Sequence, residues 1–560
     1  MIDRLQDTFA RRLNGGWEAM VRRPGLSALA LGLIAALGYP PVHAWWLAIP
    51  ALAVFVALLH RAATWKSAAW LGWVFGWAHL TLANNWIATA FTHQAKMPEF
   101  LGWVAVPLLC VYLAVYPALA ALTAHLLARR LAANSGLSTF GTLFAAAWII
   151  FEWVRSWAFT GYPWPPLGLV LLGGWESPGV ARILPWLGTY ALSGVAIIIA
   201  TGIAVGIVRR ESGQTGFLIL VVALGMVLPS LVEPDDSGRS FTLVQPFIPQ
   251  SEINDGSKFE EQFTRLTRLT TPGRDRSRLV LWPESAIPDF LEDGYPQRYY
   301  DRTTAINPVT RRGDPEYART RIADMIGPQS RLLTGLVNLD IGVVEGRRKA
   351  VSARNSVSAI NGEGTTIAAY DKAHLVPYGE YLPMRSILEP LGLSRLVAGS
   401  IDYLPGPGPR TLNLGEQGKA GVQICYEIVF SGQVIDADNR PDYIFNPSND
   451  GWFGSWGPPQ HLAQARLRAI EEGLPVLRST TTGISAVIDA RGIVRQHVAM
   501  GEASAIEGFI PGARSETLFA RWGNALPLGW AALLVLFALA LPRAGAKVGS
   551  RLLALRGSRS

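Results

Sequence analysis

Charge is scarce in this 560-residue chain: 16% of positions are Asp, Glu, Lys or Arg, while 50% are hydrophobic. An ordinary soluble domain carries about 25% charged residues. The shortage is local. Between Pro24 and Ala128 the only formal charges are Arg61, Lys66, Lys96 and Glu99, whereas Ser237–Arg514 reads as a water-exposed domain. That excludes a single soluble fold, disorder and a fibrous repeat, and leaves a membrane protein carrying one large polar domain. Cysteine is also scarce. Cys110 lies in an apolar run and Cys425 in the polar domain, which excludes a disulfide scaffold and argues against their pairing. Cys-x-x-Cys and His-Glu-x-x-His are missing and the 8 His are scattered, so neither a metal nor a cofactor is expected. The net charge of +8 does not point to nucleic acid, because the basic residues cluster at the ends of apolar runs.

What is present in quantity is hydrocarbon-length sequence. Apolar runs cover Leu26–Tyr39, Trp45–Leu59, Ala68–Ala88, Leu101–Leu127, Thr142–Trp157, Leu187–Val208, Phe217–Val232 and Ala525–Leu541. The first two are short and flank Pro40-Pro41, as a tight hairpin would. Eight spans with a cytoplasmic N-terminus put Arg4, Arg11, Arg12, Arg22 and Arg23 inside, with Arg61, Lys66, Arg129-Arg130, Arg209-Arg210 and the basic C-terminal tail. The large domain then faces outward. A cleaved signal peptide is the competing reading of the N-terminus, disfavoured by the Tyr39-Pro40-Pro41 flank. The abundant Trp reads as an aromatic belt. Glu152 and Arg155, three apart near the end of a span, read as a structural ion pair at the interface rather than a proton relay.

From about Ser240 to Gly512 short β-rich runs alternate with amphipathic segments, an α/β pattern. Strands are expected at Phe241–Gln245, Arg278–Trp282, Leu332–Leu336, Ser356–Ile360, Ile367–Tyr370, Gly421–Cys425, Tyr443–Asn446, Val476–Ser479 and Ala486–Asp489. Helices are expected at Lys258–Leu269, Pro315–Met325 and Pro459–Glu472, with Glu233–Arg239 as a linker. Three of these runs share a design, an apolar strand leading to a reactive side chain: Glu284, Lys372 and Cys425. The carboxyl ends of strands are where α/β folds gather catalysts. Singly, each has a plainer reading as a buried small hydrophobe or a solvated charge. Together they supply nucleophile, base and cation.

The segments around them, LWPESAIP (Leu281–Pro288), YDKAHLVPYGEYLP (Tyr370–Pro383) and CYE (Cys425–Glu427), resemble the Glu, Lys and Cys motifs of the nitrilase superfamily. With the flanking spans, the His-Leu-Val-Pro-Tyr-Gly-Glu-Tyr stretch resembles more narrowly the bacterial apolipoprotein N-acyltransferases. The resemblance implies a four-layer αββα catalytic domain over 237–514, outside the cytoplasm. Seven membrane helices (1–236) would precede it, and a last helix with a basic cytoplasmic tail (515–560) would follow. It implies Glu284 as general base, Lys372 as oxyanion stabiliser and Cys425 as nucleophile, supported by Glu380, Tyr426 and Glu427.

The resemblance further implies a multi-pass protein of the bacterial inner membrane with its catalytic domain on the periplasmic side. Such an enzyme would move an acyl chain from a phospholipid, phosphatidylethanolamine above all, to the α-amine of a diacylglyceryl-modified apolipoprotein through a Cys425 thioester. A membrane-anchored carbon–nitrogen hydrolase is the alternative, needing the same triad but a single anchor; a transporter lacks its expected intramembrane charges. His374 is open to a catalytic or a structural hydrogen-bonding reading. Asn449-Asp450-Gly451-Trp452 reads as a turn that could wall a pocket. The stretch 391–404, with Leu393, Leu396 and Val397, is either a packed loop or a lipid-facing lid. Where the family carries a Trp after the first strand, this chain has Ser251-Glu252-Ile253-Asn254, so no lipid-contact role passes to Asn254.

Overall fold

The computed structural model describes residues 15–93, 98–131, 136–230, 235–388, 390 and 401–540. In the apolar half, helices run Pro24–Ala36, Trp45–His60, Trp65–Ala83, Phe100–Leu113, Val115–Leu131, Leu137–Arg155, Thr189–Arg209 and Ser212–Val227, and a further one, Ala525–Ala540, follows the polar domain. Local chemistry sets their starts. Pro24 opens the first, and Thr64 caps the third by accepting from Ser67 N while Ser67 Oγ accepts from Thr64 N, each at 3.2 Å. Small residues set their spacing. A Cβ on Gly72 would stand 2.6 Å from Ala121 Cβ, and one on Gly76 2.6 Å from Pro117 Cγ, so this Gly-x-x-x-Gly face lets helix 65–83 lie directly on helix 115–131.

Each apolar run of the sequence is mostly helical over its described residues, the run Leu101–Leu127 as two successive helices. Among the described residues, three helices are long and apolar enough to cross a membrane, Phe100–Arg130, Leu137–Arg155 and Thr189–Arg209; a fourth arises if Gly15–Arg22 and Pro24–Ala36, bent by 107°, act as one. Trp45–His60, Ser212–Val227 and Ala525–Ala540 are apolar but shorter. Glu152 and Arg155 lie 3.8 Å apart and are buried, not at a surface. Glu152 accepts from Trp148 Nε1, Leu167 N and Ser193 Oγ, and Arg155 donates to Pro165 O, so the pair ties a span to the irregular segment after it.

The polar domain holds two six-stranded sheets. The first contains β1 (Asp236–Gln245), β2 (Leu279–Leu281), β3 (Arg331–Val344), β4 (Arg347–Asn361), β5 (Thr366–Asp371) and β12 (Ser504–Pro511), in the order β12-β1-β2-β3-β4-β5. The second contains β6 (Thr411–Asn413), β7 (Lys419–Val422), β8 (Tyr443–Ser448), β9 (Val476–Thr480), β10 (Ser485–Ile488) and β11 (Val494–Val498), in the order β11-β10-β9-β8-β7-β6. Each has a parallel trio at its centre, β1-β2-β3 and β7-β8-β9, flanked by antiparallel neighbours.

Leu243, Leu281, Leu333 and Val357 of one sheet pack on Val422, Phe445, Leu477 and Val487 of the other. The outer face of the first sheet is covered by helices Phe259–Thr270 and Pro315–Ile326 through Leu266 and Ile322. The outer face of the second takes helix Gly457–Glu472 through Leu462, Ala465 and Ala469. The layering is αββα. That last helix has a second neighbour: its Ala463, Leu467 and Ile470 belong to the core of the apolar half, and it is buried along almost its whole length.

Several boundaries differ from expectation, β3 and β4 running well beyond the expected Leu332–Leu336 and Ser356–Ile360. Asp236–Arg239 of the expected linker are already strand, held by Asp236 pairing with Pro511 and an Arg239–Asp442 ion pair of 3.1 Å. The strand before Cys425 stops at Val422, because the chain turns there to carry Cys425 into a short 3-10 turn, Cys425–Val429.

Candidate active site

Glu284, Lys372 and Cys425 come from three strand ends and meet between the two sheets. Glu284 follows β2 by three residues. Its loop lies against β3 at Gly335, where a Cβ would stand 2.6 Å from Glu284 Cα and from Pro283 O, so only glycine lets the strand pass. Lys372 comes directly after β5, its amide donating to Asn355 O at 2.8 Å. Cys425 has φ +50°, a left-handed conformation that costs a residue with a Cβ about 1–3 kcal/mol and persists only where the surroundings hold it.

All three are buried. Lys372 Nζ donates to Glu380 Oε1 at 3.0 Å and stands 3.5 Å from Glu284 Oε1. Asn355 Nδ2 bridges the same two carboxylates, 2.7 Å from Glu284 Oε1 and 2.8 Å from Glu380 Oε1. Asn449 N donates to Glu284 Oε2 at 2.8 Å, and Val376 N to Glu380 Oε2 at 2.7 Å. Burial alone would lower the Lys372 pKa, but Glu380 and Glu284 outweigh it, so the ammonium is held above its ordinary range and stays charged. The Cys425 thiol is pushed well up, by burial first and by Glu284 second, with Lys372 and the Asn449 amide opposing. The resting group is therefore a thiol, which needs a base to become a nucleophile. Glu284, Lys372 and Cys425 thus act on one another electrostatically in one buried site.

Glu427 has a different part. Its Oε1 accepts from Tyr370 OH (2.8 Å), Ala373 N (2.7 Å) and His374 N (3.1 Å), and its Oε2 from Ile424 N (2.7 Å). One carboxylate thereby joins the loop that carries Lys372 to the turn that carries Cys425. Burial raises its pKa to about 7, against those four donors and Lys372. His374 has its ring stacked on Phe430 at 4.1 Å while its amide serves Glu427, which favours the structural reading. Tyr426 is buried edge-on to Phe430, and its hydroxyl reaches Gly161 O of the apolar half at 3.4 Å. Leu393, Leu396, Val397 and the rest of 391–400 lie outside the described residues. Asn254 is exposed on a turn.

Sequence reasoning missed Asn355, which sits mid-strand in β4 with nothing local to mark it. Asn449 was read as a turn residue; it follows β8 as Lys372 follows β5, and that shared placement was the available signal. Its side chain is fixed as well, donating to Gln250 Oε1 at 2.7 Å and accepting from Thr481 Oγ1 at 2.8 Å.

Two parts of the chain match known protein families. The family profile described as apolipoprotein N-acyltransferase N-terminal domain matches residues 31–202, and the one described as carbon-nitrogen hydrolase matches 258–503. Apolipoprotein N-acyltransferase of Rhodopseudomonas palustris is 32% identical over 534 residues, covering 91% of this chain and 92% of the relative. That of Allorhizobium ampelinum is 32% identical over 502 residues, 86% and 88%. Among solved structures, a variant of the amidase from Nesterenkonia sp. AN1 aligns at 15% identity with a TM-score of 0.33, over 54% of this chain and 96% of that one. Identity at this level along nearly the full length of both sequences settles the matter: this chain belongs to the apolipoprotein N-acyltransferase family.

Proposed function

We propose that this membrane enzyme N-acylates lipoproteins, and that it does so by ping-pong chemistry at Cys425 with a phospholipid, phosphatidylethanolamine in the first instance, as donor. The observation that carries the mechanism is the burial of a neutral thiol beside one carboxylate and one ammonium, Glu284 and Lys372. In the first half-reaction Glu284 takes the Sγ proton as sulfur attacks the ester carbonyl, and Lys372 faces the oxygen that becomes negative. One such electrostatic contact is worth about 3 kcal/mol. Collapse breaks the ester C–O bond, and the lysophospholipid alkoxide leaves with the proton from Glu284. In the second, the α-amine of the diacylglyceryl-cysteine attacks the thioester and gives its proton to Glu284. Collapse breaks the C–S bond, and the sulfur recovers that proton. Base catalysis of this kind contributes about 10²–10⁴ in rate. Glu380 keeps Lys372 charged, Glu427 fixes the two loops, and His374 and Tyr426 pack them.

The rest of the reading follows from the same site. Both substrates are lipids held in a bilayer, so the domain 237–514 sits at the periplasmic face of the inner membrane, between the helices of 1–236 and the last helix of 515–560, in an eight-span chain. Leu393, Leu396 and Val397 meet the acyl chain as it enters. Incubation of the purified protein with phospholipid alone tests the mechanism. An acyl adduct labile to neutral hydroxylamine should appear on the Cys425 peptide, with about one equivalent of lysophospholipid released. A diacylglyceryl peptide with a free α-amine should then discharge it. Lysophospholipid release with Cys425 unmodified would mean another nucleophile, and free fatty acid released without acceptor would mean a hydrolase.

A further inference from the structure

The left-handed backbone of Cys425 needs a support, and one reaches it from outside the sheets. His461, on helix 457–472, places Nε2 3.0 Å from the Cys425 carbonyl oxygen. A carbonyl only accepts, so Nε2 carries the proton and donates. On the other side of the ring, Nδ1 lies 3.0 Å from Arg478 Nη2 and 2.9 Å from Asp450 Oδ1. The same Arg478 Nη2 grips Asp450 at 2.8 and 2.6 Å, and Arg478 Nη1 is fixed in turn by Ser448 Oγ at 2.9 Å and by Asn446 Oδ1. His461, Asp450 and Arg478 are all buried. Burial and then Arg478 hold the imidazole pKa below its ordinary value, with Asp450 and the Cys425 carbonyl opposing them.

The helix that carries this ring is fixed to the apolar half. Gln460 donates to Ala83 O at 3.0 Å and accepts from Trp164 Nε1 at 2.8 Å. Arg466 donates to the carbonyls of Gly173 (3.0 Å), Gly174 (2.6 Å) and Ser177 (2.9 Å). Trp164, wholly buried, also lies against the His461 ring with centroids 5.1 Å apart. Residue 460 thus holds the apolar half, and residue 461 holds Cys425.

We propose that His461 is a positioning residue: its Nε2–H fixes the Cys425 carbonyl, and so the aim of the thiol, in a frame set by the apolar half of the chain. The inference rests on the reading of Cys425 as nucleophile. It does not involve His461 in proton transfer; the ring acts through the cysteine. Placement errors of about 1 Å at a reacting atom cost about 10²-fold in rate.

The test compares two substitutions in the full-length protein in detergent. Glutamine can put an N–H where Nε2 stands, whereas asparagine reaches only the position of Nδ1. The rate of acyl-adduct formation on Cys425 with phosphatidylethanolamine, followed by mass spectrometry of its peptide, should fall about 10²-fold in His461→Asn and recover to near wild type in His461→Gln. Both variants should keep similar thermal midpoints, which separates positioning from folding. His461→Asn reacting at the wild-type rate, or the two variants slowed equally, would overturn the role of His461. Wild-type protein forming no adduct on Cys425, or Cys425→Ala still transferring acyl groups, would overturn the assignment of the nucleophile instead.

Discussion

At the scale of single residues, the site separates groups that react from groups that hold charge in balance. On the proposed mechanism, Cys425→Ala removes the sulfur that forms the thioester. Turnover should vanish while the thermal midpoint moves little, since the side chain shrinks by one sulfur. Lys372→Met should behave otherwise. It leaves Glu284 and Glu380 facing each other in a buried site without their cation, and loss of one partner of a buried pair costs about 3–5 kcal/mol. A large drop in the denaturation midpoint, partly restored by adding Glu380→Gln, is the expected result, and an unchanged midpoint would contradict the pairing.

Glu427 gives a pH signature. Its carboxyl is raised to about 7 in the fold against 4.5 for the free group, so the folded state binds the proton more tightly. That contribution is complete below about pH 4.5 and is lost as pH rises through about 7. The thermal midpoint of the wild type should therefore fall more steeply between pH 5 and 8 than that of Glu427→Gln. Parallel curves would mean that Glu427 does not titrate in this window.

At the scale of elements, the strands were legible where one residue type dominates a short run. Leu279–Leu281 and Tyr443–Phe445 are buried on both faces and read as continuous apolar stretches. The edge strands β11 and β12 were not legible. Arg495, Gln496 and His497 of the first are exposed, and pairing with neighbours rather than apolar content makes them strands. The site was legible as three strand-end residues, because chemistry marks Glu, Lys and Cys by themselves. Asn355 and the amide of Asn449 were not, because their contribution is a direction in space.

Gly335 belongs with the latter, and its role can be tested. In Gly335→Ala the new Cβ would stand 2.6 Å from Glu284 Cα and Pro283 O, closer than any side chain packs on backbone, so β3 and the Glu284 loop must separate, an overpacking cost of at least about 1–3 kcal/mol. Turnover should drop much more than stability, because the base moves away from the thiol. An alanine variant of wild-type activity would show that the loop yields without moving Glu284.

For the whole molecule, orientation is the property most open to direct measurement. Reporter fusions after Pro234 and after Ala546 should report opposite compartments, the first periplasmic and the second cytoplasmic, as the Lys/Arg asymmetry requires. A cytoplasmic signal after Pro234 would reverse the topology and remove the lipoprotein substrate from reach.

The double burial of helix 457–472 also bears on the order in which the chain is made. Synthesis runs from the N-terminus, so Ala83, Trp164 and the carbonyls of Gly173, Gly174 and Ser177 are already made when Gln460 and Arg466 leave the ribosome. The last third of the chain arrives at a finished berth. Translated without the first 230 residues, the segment 237–514 would present Ala463, Leu467 and Ile470 to water, with Arg466 deprived of three of its acceptors. It should precipitate or be degraded when made alone. Co-translation of the first 230 residues as a separate chain should rescue it, which pulse-labelling with protease challenge would reveal as a resistant fragment appearing only when both are made.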